Sequence, residues 1–418
     1  ENWQTEVYPL LNPRDLPMEQ VLNAKGEPVI CTVEIAMAQV YFQVWRVNVG
    51  RCPVYLLDTN LPDNEQRYRD LTLRVYGGDS TTRIMQEILL GVGGVRLLRQ
   101  LGIEPSVFHM NEGHAAFLTL ELIRERLAEG RDFAEATAAT REQCIFTTHT
   151  PVEAGHDRFS SDLISYALHK MQSQLKLSEA ELMALGQVEG EQDETGTFCM
   201  TVLALKMSRA ANGVSDLHGQ VSRRMWQPLF PGRSADQVPI GHITNGIHLL
   251  GWMKGPVRRF WKRKLGPDWE QSINTPEFWA KVADPEFIPD EEIWALRYKL
   301  RRELIEFTRR RLLIQGQRLM HEDFIAFDHL LNPDALTIGF ARRFATYKRA
   351  PLVFQQLDNI VRLVGDRQRP IQFIYAGKAH PKDDEGKRFI QHILHLSKFT
   401  ELKDHLIFIE NYDVHVAR

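Results

Sequence analysis

No apolar run in the 418-residue chain approaches the ~20 residues that a helix needs to cross a bilayer, so the sequence offers no candidate membrane span. Cysteine is scarce. Cys31, Cys52, Cys144 and Cys199 stand far apart and make no C-x-x-C pair. That spacing argues against a zinc ribbon or a disulfide framework and fits reduced, mostly buried thiols in a cytoplasmic protein. Neither charge is in excess: 51 Lys and Arg face 54 Asp and Glu, which excludes a nucleic-acid binder working by bulk charge. Internal repeats, low-complexity segments, an H-E-x-x-H pattern and a G-x-G-x-x-G fingerprint after a strand are all absent. Gly77-Gly78-Asp79 and Gly91-Val92-Gly93-Gly94 come nearest to phosphate loops. The second sits in a helical stretch, and both read as turns or close packing.

What is present is an ordinary globular composition, 43% hydrophobic and 25% charged, at a length that suggests two to three domains. Pro105 to His109 reads as a strand leading to Asn111, a helix cap, with Ala116, Leu120, Ile123 and Leu127 following at helical spacing. Cys144 to Thr148 is a second strand, which makes a β-α-β unit and favours a parallel sheet. Phe198 to Ala211 predicts a buried helix broken by Asn212-Gly213, and Ser215 predicts the cap of a helix with Leu217, Val221 and Met225 on its stripe. Ile293, Leu296, Leu300, Leu304 and Phe307 make a longer stripe, whose opposite face holds Arg301, Arg302, Arg309 and Arg310 and reads as solvated. From Leu336 the pattern resets to β-α-β-α-β, the start of a second doubly wound domain. The chain opens on Glu1 without an initiator Met and stops at Arg418 soon after a strand, so both ends read as cuts through a longer protein.

Four segments could carry chemistry. Arg342, Arg343 and Lys348 lie in a turn between a strand and a helix. Ligands bind past the carboxyl ends of strands in open α/β sheets, and arginine forks match phosphate, so this turn predicts a phosphate site. Asn111-Glu112-Gly113-His114 lies at another strand end. With His109 it resembles a metal cluster, but two histidines five positions apart do not share a helix face. A polar turn facing a sugar fits better, and no metal is expected. Thr147 to Pro151, around His149, also ends a strand, and in Thr244-Asn245-Gly246 the glycine permits close approach of backbone to a ligand.

Taken in order, Phe108 to Phe117, Phe146 to Pro151, Asn212 to Gly219, Thr244 to His248 and Ala341 to Arg349 resemble the α-glucan phosphorylases, most closely their shorter bacterial and archaeal branch. Gly377-Lys378 and Glu410-Asn411-Tyr412 agree. The resemblance implies a GT-B fold, two Rossmann-like domains with the site in the cleft between them. The domains would span 1–333, lacking its N-terminal part, and 334–418, incomplete at its C-terminal side. It implies phosphorolysis of α-1,4-glucans to α-D-glucose 1-phosphate with retention of configuration. His149 and Asn245 would hold the glucose unit, chiefly at its 6-hydroxyl, with His114, Asn111 and Glu112 lining the pocket and Tyr347 touching the sugar. Arg343 would grip the substrate phosphate. Arg342 would face the phosphate of pyridoxal phosphate, Lys348 would lie between the two phosphates, and the family's proton shuttle is the cofactor's phosphate. Accordingly no hydrolase-like carboxylate pair is evident. The family's cofactor lysine, in an E-A-S-G-T-x-x-M-K motif, is absent from this chain, as is a G-G-L-G segment. The 418 residues alone are therefore expected to be inactive and not to bind the cofactor covalently. Expected partners are glucan and phosphate, with a homo-oligomer possible and neither nucleic acid nor membrane. The alternatives are a nucleotide-sugar glycosyltransferase of the glycogen or starch synthase type, and a non-catalytic glucan-binding protein.

Overall fold

Alternation in the first strands places one face of a sheet inward. Cys31, Val33 and Ile35 of β2 (Ile30–Ile35) and Val40, Phe42 and Val44 of β3 (Ala38–Val49) are buried, while their neighbours are less so. In this computed structural model, which describes residues 3–74, 78–152, 155–188, 196–319 and 330–418, β3 is paired antiparallel with β1 (Glu19–Gln20), β2 and β4 (Cys52–Asp58). The inward face packs on the helices Ser80–Ile88 and Gly94–Gln100. Between these helices, a Cβ on Gly91 would lie 2.7 Å from the Leu118 nitrogen and one on Gly93 3.2 Å from the Phe42 ring, which bears out close packing there. Gly78 has φ +77°, and Asp79 caps the helix by accepting from the Thr82 N–H; Gly77 lies outside the described residues.

The chain divides into two compact units, Tyr8–Gly246, and Ile247–Arg418 together with Glu1–Val7. The first holds a parallel sheet in the order β10-β9-β6-β5, formed by β5 (Phe108–Asn111), β6 (Cys144–Thr147), β9 (Ala210–Gly213) and β10 (Ile240–His242). A two-residue pair, β7 (Arg158–Phe159) with β8 (Phe198–Cys199), lies apart from it. The β-α-β unit is as expected, but its crossover holds two helices, Leu118–Ala128 and Phe133–Gln143, and Asn111 ends β5 instead of capping the first. Phe198 to Ala211 is not one helix. It contains β8, the helix Met200–Lys206 and the start of β9, so Asn212-Gly213 ends a strand. Ser215 does cap Asp216–Met225, yet the buried face is His218, Gly219 and Ser222, with Leu217 exposed.

In the second unit β11 (Leu336–Ala341), β12 (Ile371–Ala376) and β13 (Leu406–Ile409) form a parallel sheet in that order. Phe373, Tyr375 and Phe408 face one cluster, with Ile360 and Ile393 of the helices Leu357–Val364 and Asp384–Leu396. Ile374, Ala376, Ile407 and Ile409 face the other, with Ile305 and Leu312 of the helix Asp290–Leu319. Burial on both faces explains the apolar runs of β13 and, apart from Gln372, of β12, whereas β11 is largely exposed. The long helix is phased differently from its predicted stripe: Ile305, Thr308 and Leu312 are buried, while Ile293 and Leu304 are exposed. Its arginine face is not simply solvated, because Arg301 donates to the Pro333 carbonyl and Arg309 to those of Leu330 and Leu331. Gln4 is tied to this unit through both backbone groups of Ala379.

Candidate active site

The carboxyl ends of β5, β6, β9 and β10 gather five of the residues singled out from sequence. At the end of β5, Glu112 has φ 71° and ψ 174°, a region that is essentially glycine's alone. Its carboxylate accepts from the His149 N–H (2.7 Å), the Thr150 hydroxyl (2.9 Å) and the Thr148 hydroxyl (3.4 Å). One strained residue thus ties the loop after β5 to the loop after β6. His149 Nε2 lies 2.5 Å from Asn111 Oδ1. With that oxygen as acceptor, Nε2 holds the imidazole's proton and Nδ1 is left as an acceptor. Asn245 is fixed through its N–H to the Val214 carbonyl just past β9. Asn111, His149 and Asn245 are exposed on this rim, and His114 and Glu112 are half-buried.

His109 does not join His114. It contacts the Thr147 hydroxyl, which in turn donates to Asn212 Oδ1. His114 Nε2 lies 3.7 Å from Asp157 Oδ2. Desolvation first, then the Arg83 charge, hold its imidazole below the ordinary histidine value, against the opposite pull of Asp157 and Glu112. A neutral His114 can both donate and accept, as a site for sugar hydroxyls requires. Asp157 and Arg83 were not found from sequence, since Arg83 and Asp157 are 74 positions apart and neither sits in a recognisable motif.

The remaining residues belong to the second unit. Phe344 is fully buried, packed on Phe340 and Phe408, with its N–H donating to the Lys378 carbonyl. It anchors the turn after β11 and leaves Arg342, Arg343 and Tyr347 exposed, with Lys348 half-buried 5.5 Å from the Tyr347 ring. Among the described residues no carboxylate or other side-chain acceptor pairs with Arg342, Arg343 or Lys348. His380, which sequence reasoning missed beside Gly377-Lys378, lies near enough to Arg343 that burial first and then that charge lower its pKa. Three cations with no side-chain acceptor among the described residues, gathered after a strand end, could together receive an anion.

Gly377 holds this turn against the sheet. A Cβ there would fall 2.1 Å from the Arg342 carbonyl oxygen and 2.7 Å from the Phe344 ring. Gly377→Ala must push backbone aside, and overpacking of this kind costs about 1–3 kcal/mol or more. A thermal melt of the variant is expected to show the second unit unfolding several degrees earlier; an unchanged melt would contradict the close approach.

Residues 98–418 match the family described as carbohydrate phosphorylase. The chain belongs to the carbohydrate phosphorylase family. The chain is 40% identical to the maltodextrin phosphorylase of Thermococcus litoralis over 99% of its own length and 48% of that protein's. It is 39% identical to the glycogen phosphorylase of Mycobacterium tuberculosis over 100% of its length and 49% of the relative's. With the glycogen phosphorylase of Aquifex aeolicus the identity is 33%, over 99% of the chain and 59% of that protein. The chain thus spans about half the length of the curated relatives it matches most extensively. Among the described residues, no helix of the phosphorylase chain is long and apolar enough to cross a membrane.

Proposed function

We propose that the protein carrying this chain is a cytoplasmic α-1,4-glucan phosphorylase, which cleaves glycogen, starch or maltodextrin with phosphate and releases α-D-glucose 1-phosphate with retention of configuration. The observation that carries this reading is the set of cations after β11. Arg342, Arg343 and Lys348 have no side-chain acceptor among the described residues, in a family named for carbohydrate phosphorolysis. In this reading the fold is of the GT-B type, with its substrate cleft between Rossmann-like domains of 1–333 and 334–418. His149, Asn245, His114, Asn111 and Glu112 receive the glucose unit through hydrogen bonds, and Tyr347 touches the sugar. Arg343 holds the substrate phosphate and offsets the charge that develops as the glycosidic bond breaks.

The donor set also fits the phosphate end of pyridoxal phosphate. Two phosphates brought together need several cations, and Arg342 and Lys348 remain once Arg343 is assigned to substrate. When bound, that cofactor would supply a phosphate able to exchange a proton with the departing glucan. The residues of this chain would hold its charge and exclude competing orientations.

The test is a rate assay on the protein that carries this chain, with maltoheptaose and pyridoxal phosphate. Phosphate-dependent release of glucose 1-phosphate is expected. Glucan extension from ADP-glucose, with no response to phosphate, would instead identify a synthase.

A further inference from the structure

We propose that Arg83, Glu87 and Asp157, of which Glu87 is buried and the other two are half-buried, form a positioning unit for His114, in which the Glu87 carboxyl keeps its proton and donates it to Asp157. The inference rests on the reading of His114 as part of the sugar site. Arg83 and Glu87 lie one turn apart on the helix Ser80–Ile88, with Arg83 Nε 3.0 Å from Glu87 Oε1. The same guanidinium makes a forked contact with Asp157, Nη2 to Oδ2 at 3.0 Å and Nε to Oδ1 at 3.3 Å. Asp157 Oδ2 then faces His114 Nε2 at 3.7 Å. Two carboxylates therefore share one guanidinium.

Glu87 is the one that cannot stay charged. It is 1% exposed, and neither of its oxygens accepts a hydrogen bond from the described residues, although Arg83 is in ion-pair range. Desolvation, then the Asp157 charge, push its carboxyl well above the ordinary glutamate range. Burial would also raise Asp157, but the Arg83 hydrogen bond and charge outweigh it, and Asp157 lies below the usual carboxylate range. A proton on Glu87 converts two opposed acceptors into a donor and an acceptor, which completes the hydrogen bonding of a buried carboxyl. Asp157 is then an ionised acceptor locked from two sides, by Arg83 and by Glu87. At 3.7 Å it acts on His114 through its charge, which favours the proton on the nearer Nε2 and leaves Nδ1 to accept from a hydroxyl. The charged and titratable groups acting on His114 are Arg83, Asp157, Glu112 and His149.

The test uses the 418-residue chain with carbon-13-labelled histidine, the His114 signal being assigned by its loss in His114→Ala. Glu87→Gln retains a donor toward Asp157, so the His114 titration should stay at its wild-type midpoint. Asp157→Asn removes the opposite charge and should move that midpoint lower. Stability supplies a second readout. Glu87 holds a proton when folded and loses it when unfolded above the ordinary glutamate value, so the folded-to-unfolded ratio falls by up to tenfold per pH unit until the folded carboxyl ionises. Glu87→Gln removes that loss, and should melt above wild type at pH 8 by more than at pH 4.5. The proposal is overturned if Glu87→Gln moves the His114 midpoint as far as Asp157→Asn does, or if it melts below wild type chiefly at pH 8, the signature of a lost ionised pair. Neither readout needs glucan, so a failure here is distinct from an absence of phosphate-dependent turnover.

Discussion

Arg343→Ala should lower turnover by on the order of a hundredfold or more in the phosphorolytic direction, the usual effect of removing one preorganised donor to charge that develops in the transition state. The reason lies in the local structure. Buried Phe344 fixes the backbone of the turn, so the guanidinium beside it is presented from a rigid anchor, and no side-chain acceptor among the described residues diverts it. Its field already disfavours charge on His380. Removal should raise the phosphate concentration needed for half-maximal rate and leave maltoheptaose affinity nearly unchanged, because the residues proposed to receive the sugar are, Tyr347 apart, on other strands. Initial rates at varied phosphate decide the matter: a phosphate dependence equal to wild type would remove Arg343 from the role. Arg343→Lys is expected to recover only part of the rate, since an ammonium keeps the charge but loses the fork.

The sheet of the second unit was legible in sequence because its signals are local, whereas the phase of the helix Asp290–Leu319 was not. β12 and β13 are covered on both faces and so are apolar apart from Gln372, and the turn of cations follows β11 directly. β9 was not legible. Ala210-Ala211-Asn212-Gly213 has no β-branched or aromatic residue, and it is a strand only because β6 and β10 flank it with parallel pairing. The stripe on Asp216–Met225 was misplaced for a related reason. His218 turns inward to accept from the Val214 N–H, and a Cβ on Gly219 would stand 3.0 Å from that of His242, so small and polar residues take the buried face. At the site, the motifs disclosed the residues that face outward at strand ends. The residues that set their state, Arg83, Glu87 and Asp157, carry no spacing signal, because they meet only in the folded unit.

Glu112 shows the same limit from the other side, since sequence placed it at the site but not its backbone. Its φ of 71° with ψ of 174° costs about 1–3 kcal/mol for a residue with a side chain. The return is the carboxylate's position, where it accepts from His149, Thr148 and Thr150 and so joins two strand ends. Two substitutions separate these effects. Glu112→Ala keeps the strain and loses the acceptor, so it should destabilise the first unit by about 2–3 kcal/mol, the worth of hydrogen bonds to a charged group near water. Glu112→Gly loses the same acceptor but relieves the strain, offset in part by the ~0.5–1 kcal/mol of extra chain entropy that glycine gives the unfolded state. Glycine should therefore melt a few degrees above alanine, and both below wild type, because a kcal/mol moves the midpoint of a unit this size by about 2–4 °C. Maltoheptaose affinity should fall in both variants alike, since His149 loses its anchor in each. If alanine melts as high as glycine, the strain at residue 112 is no more than the ~0.5–1 kcal/mol of glycine's chain entropy; if affinity survives in both, the carboxylate does not hold His149 for the sugar.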